Sequence, residues 1–328
     1  MSEKIEEINK RISELYQQGR YKEMEPLLEE VVRLTGDELG QDHLGYAAIL
    51  NDLGGLYRGS AEYAKSEDCF VKATRILGKT LGKDHPDYAT SINNLAGLYR
   101  LTGDFAKAEP LFMEAWEIYA RTLGEDHFLF ASNLNNLALL YMDMRKYDKA
   151  EQLHNKALEI VKRKEGENST SYATSLSNLA GVYLAKAEHD RAESLAQQAL
   201  EIFSKTEGTE SSYYISALNS LAGISSARGE LEKARQLYLE TLKVSEKNWG
   251  KDHPNYASAL ESLGRVYAAI KDYPKAEECY LQSLDIRRRI FGQSHSSTIR
   301  VIKNLINLYE NLGDKTKAEQ IRSLLKNN

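Results

Sequence analysis

The chain has 328 residues, 42% hydrophobic and 28% charged, with a formal net charge of −5 and only five prolines. That balance excludes disordered and collagen-like chains, and the acidic total argues against a surface built to hold nucleic-acid phosphates. Length alone suggests two domains, yet Gly40, Gly82, Gly124, Gly166, Gly208, Gly250 and Gly292 recur at a constant spacing of 42, so one copied unit and a single array are expected instead.

In chain order, Met1 to Lys10 carries three glutamates and no apolar core of signal-peptide length, so the cytoplasm is the expected location. Residues 1–38 read as a degenerate first helix pair, with Ile5, Ile8, Ile12 and Leu15 on one helix and Met24, Leu28 and Val31 on the other. Six 42-residue repeats fill 39–290, and 291–328 form a capping pair. In the copy from His85 to His127, Pro86 marks a helix start, and Tyr88, Ile92, Leu95, Ala96 and Tyr99 form an apolar stripe. Leu101-Thr102-Gly103-Asp104 breaks that helix, with Asp104 able to cap the next one. A second helix is predicted from about Phe105 to Thr122, with Ala108, Leu111, Phe112, Ala115, Ile118 and Tyr119 on its apolar side. So short a connection makes the two helices antiparallel.

Neither helix hides its whole stripe within the pair, so successive pairs must stack. Ala96, Ala108 and Ala115, with their equivalents in later copies, mark close helix contacts. Tyrosine recurs at 57, 99, 141, 183, 267 and 309, with Ser225 the gap in the column. Cys69 and Cys279 stand five repeats apart, too far to pair, and read as small buried thiols. The longest uncharged stretch, Ser211 to Ala227, is too short and polar to span a bilayer.

Leu95-Ala96-x-x-Tyr99 followed by Ala108, Phe112 and Ala115 resembles the tetratricopeptide repeat. The 42-residue form, with Leu81-Gly82-Lys83-Asp84-His85-Pro86 and Asn93-Asn94-Leu95-Ala96, is similar to the repeats of kinesin light chains and their prokaryotic relatives. The resemblance implies an all-α fold, a right-handed superhelical solenoid of about eight antiparallel helix pairs forming one domain over 1–328. It also implies protein-binding work rather than catalysis.

Chemical motifs are scarce. His43, His85, His127, His253 and His295 share one loop position, but neighbouring copies lie about a helix diameter apart, too far for a shared metal with bonds of ~2.0–2.1 Å. The Asp-His pairs are read instead as caps of the first helix that pin the inter-repeat loop. His154 and His189 stand at packing positions. Gly78-Lys79-Thr80 lacks the preceding glycine of a phosphate loop and lies inside a helix. Arg287-Arg288-Arg289 ends a helix and reads as a solvated face. No cofactor, metal, membrane or nucleic acid is implied, and no enzyme motif occurs.

On the first helix of each copy a second strip lies about a third of a turn from the core stripe, and the resemblance implies that it lines a concave groove. Its candidate binding residues are Asn51, Arg58, Thr90, Asn93, Arg100, Asn135, Leu139, Met142, Ser177, Leu184, Asn219 and Arg265. Asparagine is a poor mid-helix residue, and a ladder of carboxamides suits the backbone of an extended peptide. Arg58 and Arg100 make the early copies basic, Leu139, Met142 and Leu184 make the middle apolar, and Glu261 with Arg265 makes the later copies mixed. The expected partner is a protein or peptide with acidic residues near one end and an apolar or aromatic anchor. The alternative is a structural, self-associating array with an empty groove, and a homo-oligomer fits either.

Overall fold

Each 42-residue period folds as one helix pair. A computed structural model describes residues 3–17 and 20–325, and among them are sixteen α-helices and no strand. The helices group into two compact units, Met1–Lys186 and Ala187–Asn328.

The first unit holds α1 (Glu3–Gln17), α2 (Tyr21–Leu39), α3 (Leu44–Gly59), α4 (Tyr63–Thr80), α5 (Pro86–Thr102), α6 (Phe105–Thr122), α7 (Phe128–Asp143), α8 (Tyr147–Glu165) and α9 (Thr170–Ala185). The second holds α10 (His189–Thr206), α11 (Ser212–Ala227), α12 (Leu231–Trp249), α13 (Pro254–Ala269), α14 (Tyr273–Phe291), α15 (Ser296–Leu312) and α16 (Lys315–Ser323). The helix anticipated from Phe105 to Thr122 is α6.

Helices consecutive in sequence pack together within each unit. In addition α3, α5, α7 and α9 approach one another in turn, as do α11, α13 and α15, whereas among the described residues no even-numbered helix reaches another. A layer whose members touch is shorter than one whose members do not, so each unit bends with its odd helices inside. Alanine permits the close approach: Ala96, Ala108 and Ala115 have no exposed surface, and Ala138, Ala150 and Ala157 repeat the arrangement. Cys69 and Cys279 are free and buried.

The 42-residue glycine falls just past each even helix, at φ between 78° for Gly250 and 89° for Gly292. This is a left-handed backbone that only glycine adopts without strain. The turn inside each pair also takes a positive φ, with ψ near zero at Gly103 and Gly313, and there Ala61, Arg145, Ala187 and Lys271 have positive φ without being glycine.

On five odd helices, α3, α5, α7, α9 and α15, a tyrosine bonds a glutamate of the even helix before it. Tyr57 donates to Glu29 at 2.7 Å, Tyr99 to Glu67 at 2.7 Å, Tyr141 to Glu109 at 2.8 Å and Tyr183 to Glu151 at 2.9 Å. In the second unit Tyr309 donates to Glu277 at 2.7 Å. Lys65, Lys107, Lys149 and Lys317 lie over the rings of Tyr57, Tyr99, Tyr141 and Tyr309. Where Ser225 interrupts the column, Glu193 pairs with Arg228 at 2.7 Å and with Lys233.

The loop histidines cap the odd helices. Nδ1 of His43, His85, His127, His253 and His295 accepts the backbone N–H two residues on, at 3.0–3.2 Å, which requires an unprotonated Nδ1. Ser169 and Ser211 take the same place and accept from the N–H three residues on. The aspartate before the histidine serves a different contact. Asp42 pairs with Lys79, Asp84 with Arg121 and Asp252 with Arg289, tying the loop to the next even helix. Replacing His85 by alanine should destabilise the first unit by about 1 kcal/mol, as loss of an N-cap does. His85→Ser should restore most of that in urea denaturation, because Ser169 and Ser211 already cap equivalent helices.

Candidate functional site

The structure divides the predicted strip in two. Toward the inside of each bend, the positions most open to solvent on the odd helices are Ala48, Asp52 and Gly59 on α3, Leu101 on α5, Ser132 and Asp143 on α7, and Gly181 and Ala185 on α9. The asparagine column lies about 100° away from the Asp52 column on the helical wheel and is turned toward the next odd helix. Ser91 of α5 donates to Asn51 Oδ1 at 3.2 Å; Asn133 and Asn136 of α7 donate to Asn93 Oδ1 at 3.1 and 3.3 Å. Asn135 Oδ1 bonds Nδ1 of His154 at 2.9 Å, and Ser177 Oγ is buried without a partner among the described residues. The carboxamide oxygens of Asn51, Asn93 and Asn135 are therefore engaged between helices. Side chains of the next copy meet Asn51 and Asn93, and His154 of the same helix pair meets Asn135.

The remaining predicted residues of the first unit have distinct environments. Thr90 is turned inward, its hydroxyl 2.8 Å from that of Tyr119. Arg100 pairs with Asp143 of α7 at 2.6 Å. Met142 packs on the cluster around Leu137 and Tyr141, and Leu139 and Leu184 are half-buried. Arg58 reaches across to α5: its Nη1 would lie 3.1 Å from a Cβ placed on Gly97, and its guanidinium is 5.8 Å from the ring centre of Phe70. Burial and the nearby charge of Arg100 lower its pKa from the usual guanidinium value. Among the described residues no carboxylate or carbonyl accepts a hydrogen bond from it.

In the second unit Asn219 Oδ1 is buried with no partner among the described residues. Its donor is missing because Ala259 stands where Ser91 serves Asn51. Arg265 is exposed and donates to Ser262 at 3.0 Å. Glu261, expected to give the later copies a mixed-charge surface, is only 3% exposed. It accepts from Arg287 at 2.9 Å, from Arg300 at 2.7 and 2.9 Å and from Asn304 at 3.1 Å. The solvated-face reading of the arginine run thus fails at Arg287. With Tyr280, Ser283 and Leu284 it occupies the buried stripe of α14, a spacing already visible in the sequence. Asp52, one position beyond the predicted column, is exposed, whereas its equivalents Asn94, Asn136 and Asn178 are half-buried and Asn136 donates into the seam at Asn93.

The residues 9–79, 60–121, 129–205 and 213–289 match the profile of the tetratricopeptide repeat. The chain belongs to the tetratricopeptide repeat family. Among solved structures this repeat protein is similar to BtubC (BKLC) from P. vanneervenii, at 27% identity over 71% of this chain and 92% of that one, with a TM-score of 0.55. It is also similar to the Podosopora anserina putative kinesin light chain with nearly identical TPR-like repeats, at 25% identity over 62% of this chain and 97% of that one, with a TM-score of 0.52. A Rap protein complexed with competence and sporulation factor shares the fold alone, at 14% identity over 95% and 99% of the two chains, with a TM-score of 0.55. A comparison with curated proteins returned no match. Among the described residues of this repeat protein no group of His, Cys, Asp and Glu is placed to hold a metal, and no helix is long and apolar enough to cross a membrane.

The seams of this repeat protein can be probed at two points. His154 is fully buried, its Nε2 has no partner among the described residues, and burial pushes its pKa down to about 4. The folded value lies below the unfolded value of about 6.5, so the stabilisation is present above that pH and is lost as pH falls toward 4. Between pH 7 and pH 4.5 the wild type should lose about 2–3 kcal/mol more than His154→Phe, a variant that restores the residue found at Phe70 and Phe112; parallel melting curves would refute the assignment. Ala259→Ser should give Asn219 its missing donor and stabilise the second unit by about 1 kcal/mol, read from chemical denaturation.

Proposed function

We propose that this protein-interaction scaffold holds an extended segment of a partner polypeptide along the inner face of the odd helices of its first unit. The supporting observation is the placement of glycine. Gly54 and Gly264 lie inside helices for a reason internal to the chain, since a Cβ there would meet Phe70 at 2.9 Å and Tyr280 at 2.7 Å. Gly55 and Gly181 also lie inside helices, on the inner side, and a Cβ at either would meet nothing within 4 Å. A mid-helix glycine costs about 0.5–1 kcal/mol relative to alanine, and nothing among the described residues offsets that cost. Space left against a helix backbone, with hydroxyl and carboxamide groups such as Ser132, Asn94 and Asn178 beside it, suits a guest main chain that approaches closely and bonds to side chains. Specificity then falls to the few larger residues, Arg58, Arg100, Leu139 and Met142. A guest with an acidic residue and an apolar anchor suits them, and no covalent chemistry is asked of the site.

Gly181→Ala should raise the unfolding free energy by about 0.5–1 kcal/mol without closing the face, whereas Gly55→Leu and Gly181→Leu should fill it. Selection of a phage-displayed library of random peptides on the full chain tests the reading. Peptides should enrich, and their binding should survive Gly181→Ala and fail with the leucine variants. Failure of any peptide to enrich, or equal binding to the filled variants, would remove the inner face as the site.

A further inference from the structure

The turn from α7 to α8 carries a charge pattern that departs from the other copies. The residue just before the even helix is acidic at Glu62, Asp104, Glu188, Glu230, Asp272 and Asp314, and Arg20 before α2 pairs with Glu23. Before α8 it is Lys146. An acid suits the positive end of a helix dipole, and a lysine there opposes it. In the repeated arrangement the acid also pairs with the lysine three residues on, as Glu62 does with Lys65 and Asp104 with Lys107. Lys149 has no such acid, and the ammonium groups of Lys146 and Lys149 both converge on the ring of Tyr141, at 5.6 and 5.0 Å from its centre. Arg145, with φ at 58°, adds a third cation beside them. Ala61 and Ala187 share that positive φ, so the backbone of this turn is ordinary and its charge is not. Among the described residues no carboxylate pairs with Arg145, Lys146 or Lys149. Together with Tyr147, Asp148 and Lys186 they line an open recess of about 760 Å³ in the first unit. Asp148 does not neutralise them, since Lys186 takes up both Asp148 and Glu151, at 2.9 and 2.7 Å.

We propose that this recess is a second contact point of the scaffold and seats a phosphorylated side chain of a partner polypeptide. A carboxylate has one charge and two oxygens, and a single guanidinium satisfies it. Three unpaired cations around one recess match an anion with nearly two charges and three acceptor oxygens, the properties of a phosphoryl ester at neutral pH. Arg145 supplies a planar fork of donors, and Lys146 and Lys149 supply point charges on flexible stems that close on the remaining oxygens. Until the anion arrives, the three cations repel one another. Nucleic acid suits the recess less well: its phosphates come in a row, whereas this cluster is single, flanked in the chain by Asp143, Asp148 and Glu151, and the net charge is −5. The recess lies at the α7–α8 turn rather than on the inner face, so the inference stands apart from the groove reading.

The test titrates the full chain into fluorescein-labelled pools of degenerate peptides with a fixed central phosphoserine, glutamate or serine, and into a labelled oligouridylate, with anisotropy as the readout. The phosphoserine pool should bind at least about tenfold more tightly than the glutamate pool, the scale of one charge-assisted hydrogen bond, with the serine pool weakest. Arg145→Gly combined with Lys146→Asp copies the turn at Gly103 and Asp104. It should abolish the preference for phosphoserine while melting at or above the wild-type temperature, because Lys149 regains an acidic partner. Gly55→Leu, placed to fill the inner face, should leave the preference intact. Equal binding of the phosphoserine and glutamate pools would overturn the proposal, as would a preference that survives the paired substitution, that is lost only with a lowered melting temperature, or that fails in Gly55→Leu. Tighter binding of the oligouridylate would overturn it in favour of nucleic acid. Inorganic phosphate competing as well as the phosphoserine pool itself would overturn it in favour of a free anion.

Discussion

The bond from a tyrosine hydroxyl on one odd helix to a glutamate on the preceding even helix ties successive helix pairs of the first unit together at one repeated point. It recurs from Tyr57–Glu29 to Tyr183–Glu151 in the first unit and returns at Tyr309–Glu277 in the second. A hydrogen bond to an ionised acceptor is worth about 1.5–3 kcal/mol, and in a repeat array such a nearest-neighbour contribution is counted once per interface. Burial and the adjacent glutamate push the phenols of Tyr99 and Tyr141 up to about 12, so they remain donors across the physiological range. In the first unit the odd helices α3, α5, α7 and α9, which carry this bond, also touch one another in turn, while the even ones stay apart.

That contact explains what became of the polar residues on the odd helices. Where two odd helices meet, Asn51 and Asn93 accept from the next copy. The same position becomes a buried ion-paired cluster at Glu261 and an unsatisfied oxygen at Asn219. One structural column thus carries three solutions to a single problem: polar atoms brought together in a narrow seam. The Glu261–Arg287–Arg300 solution couples three helices of the second unit, and removing one partner of such a buried pair is strongly destabilising.

The inner face has the opposite character. Its glycines support no packing, and the unpaired cation of Arg58 is held in place by neighbours that do not neutralise it, so features that weaken the folded chain gather on one side of α3, α5 and α9. A stack of tetratricopeptide repeats supports protein-interaction work.

Repeat length, helix pairs, buried alanines and capping positions are all legible in the chain before it folds, because each depends on residues within a few positions of one another: a glycine at positive φ, a histidine or serine before a helix, a stripe at spacings of three and four. Which of two adjacent columns on the odd helix faces open space is not legible there. Neighbouring columns differ by about 100° on a helix, and the phase is fixed only when the next copy docks. Hence the sequence does not show that Asn93 accepts from Asn133 of the next copy or that Arg287 is buried against Glu261. Side chains that meet across the stack, such as Ser91 with Asn51, Arg58 above Gly97 and Arg300 with Glu261, are separated by about forty residues in the chain, and only the packing of one pair on the next brings them within bonding distance.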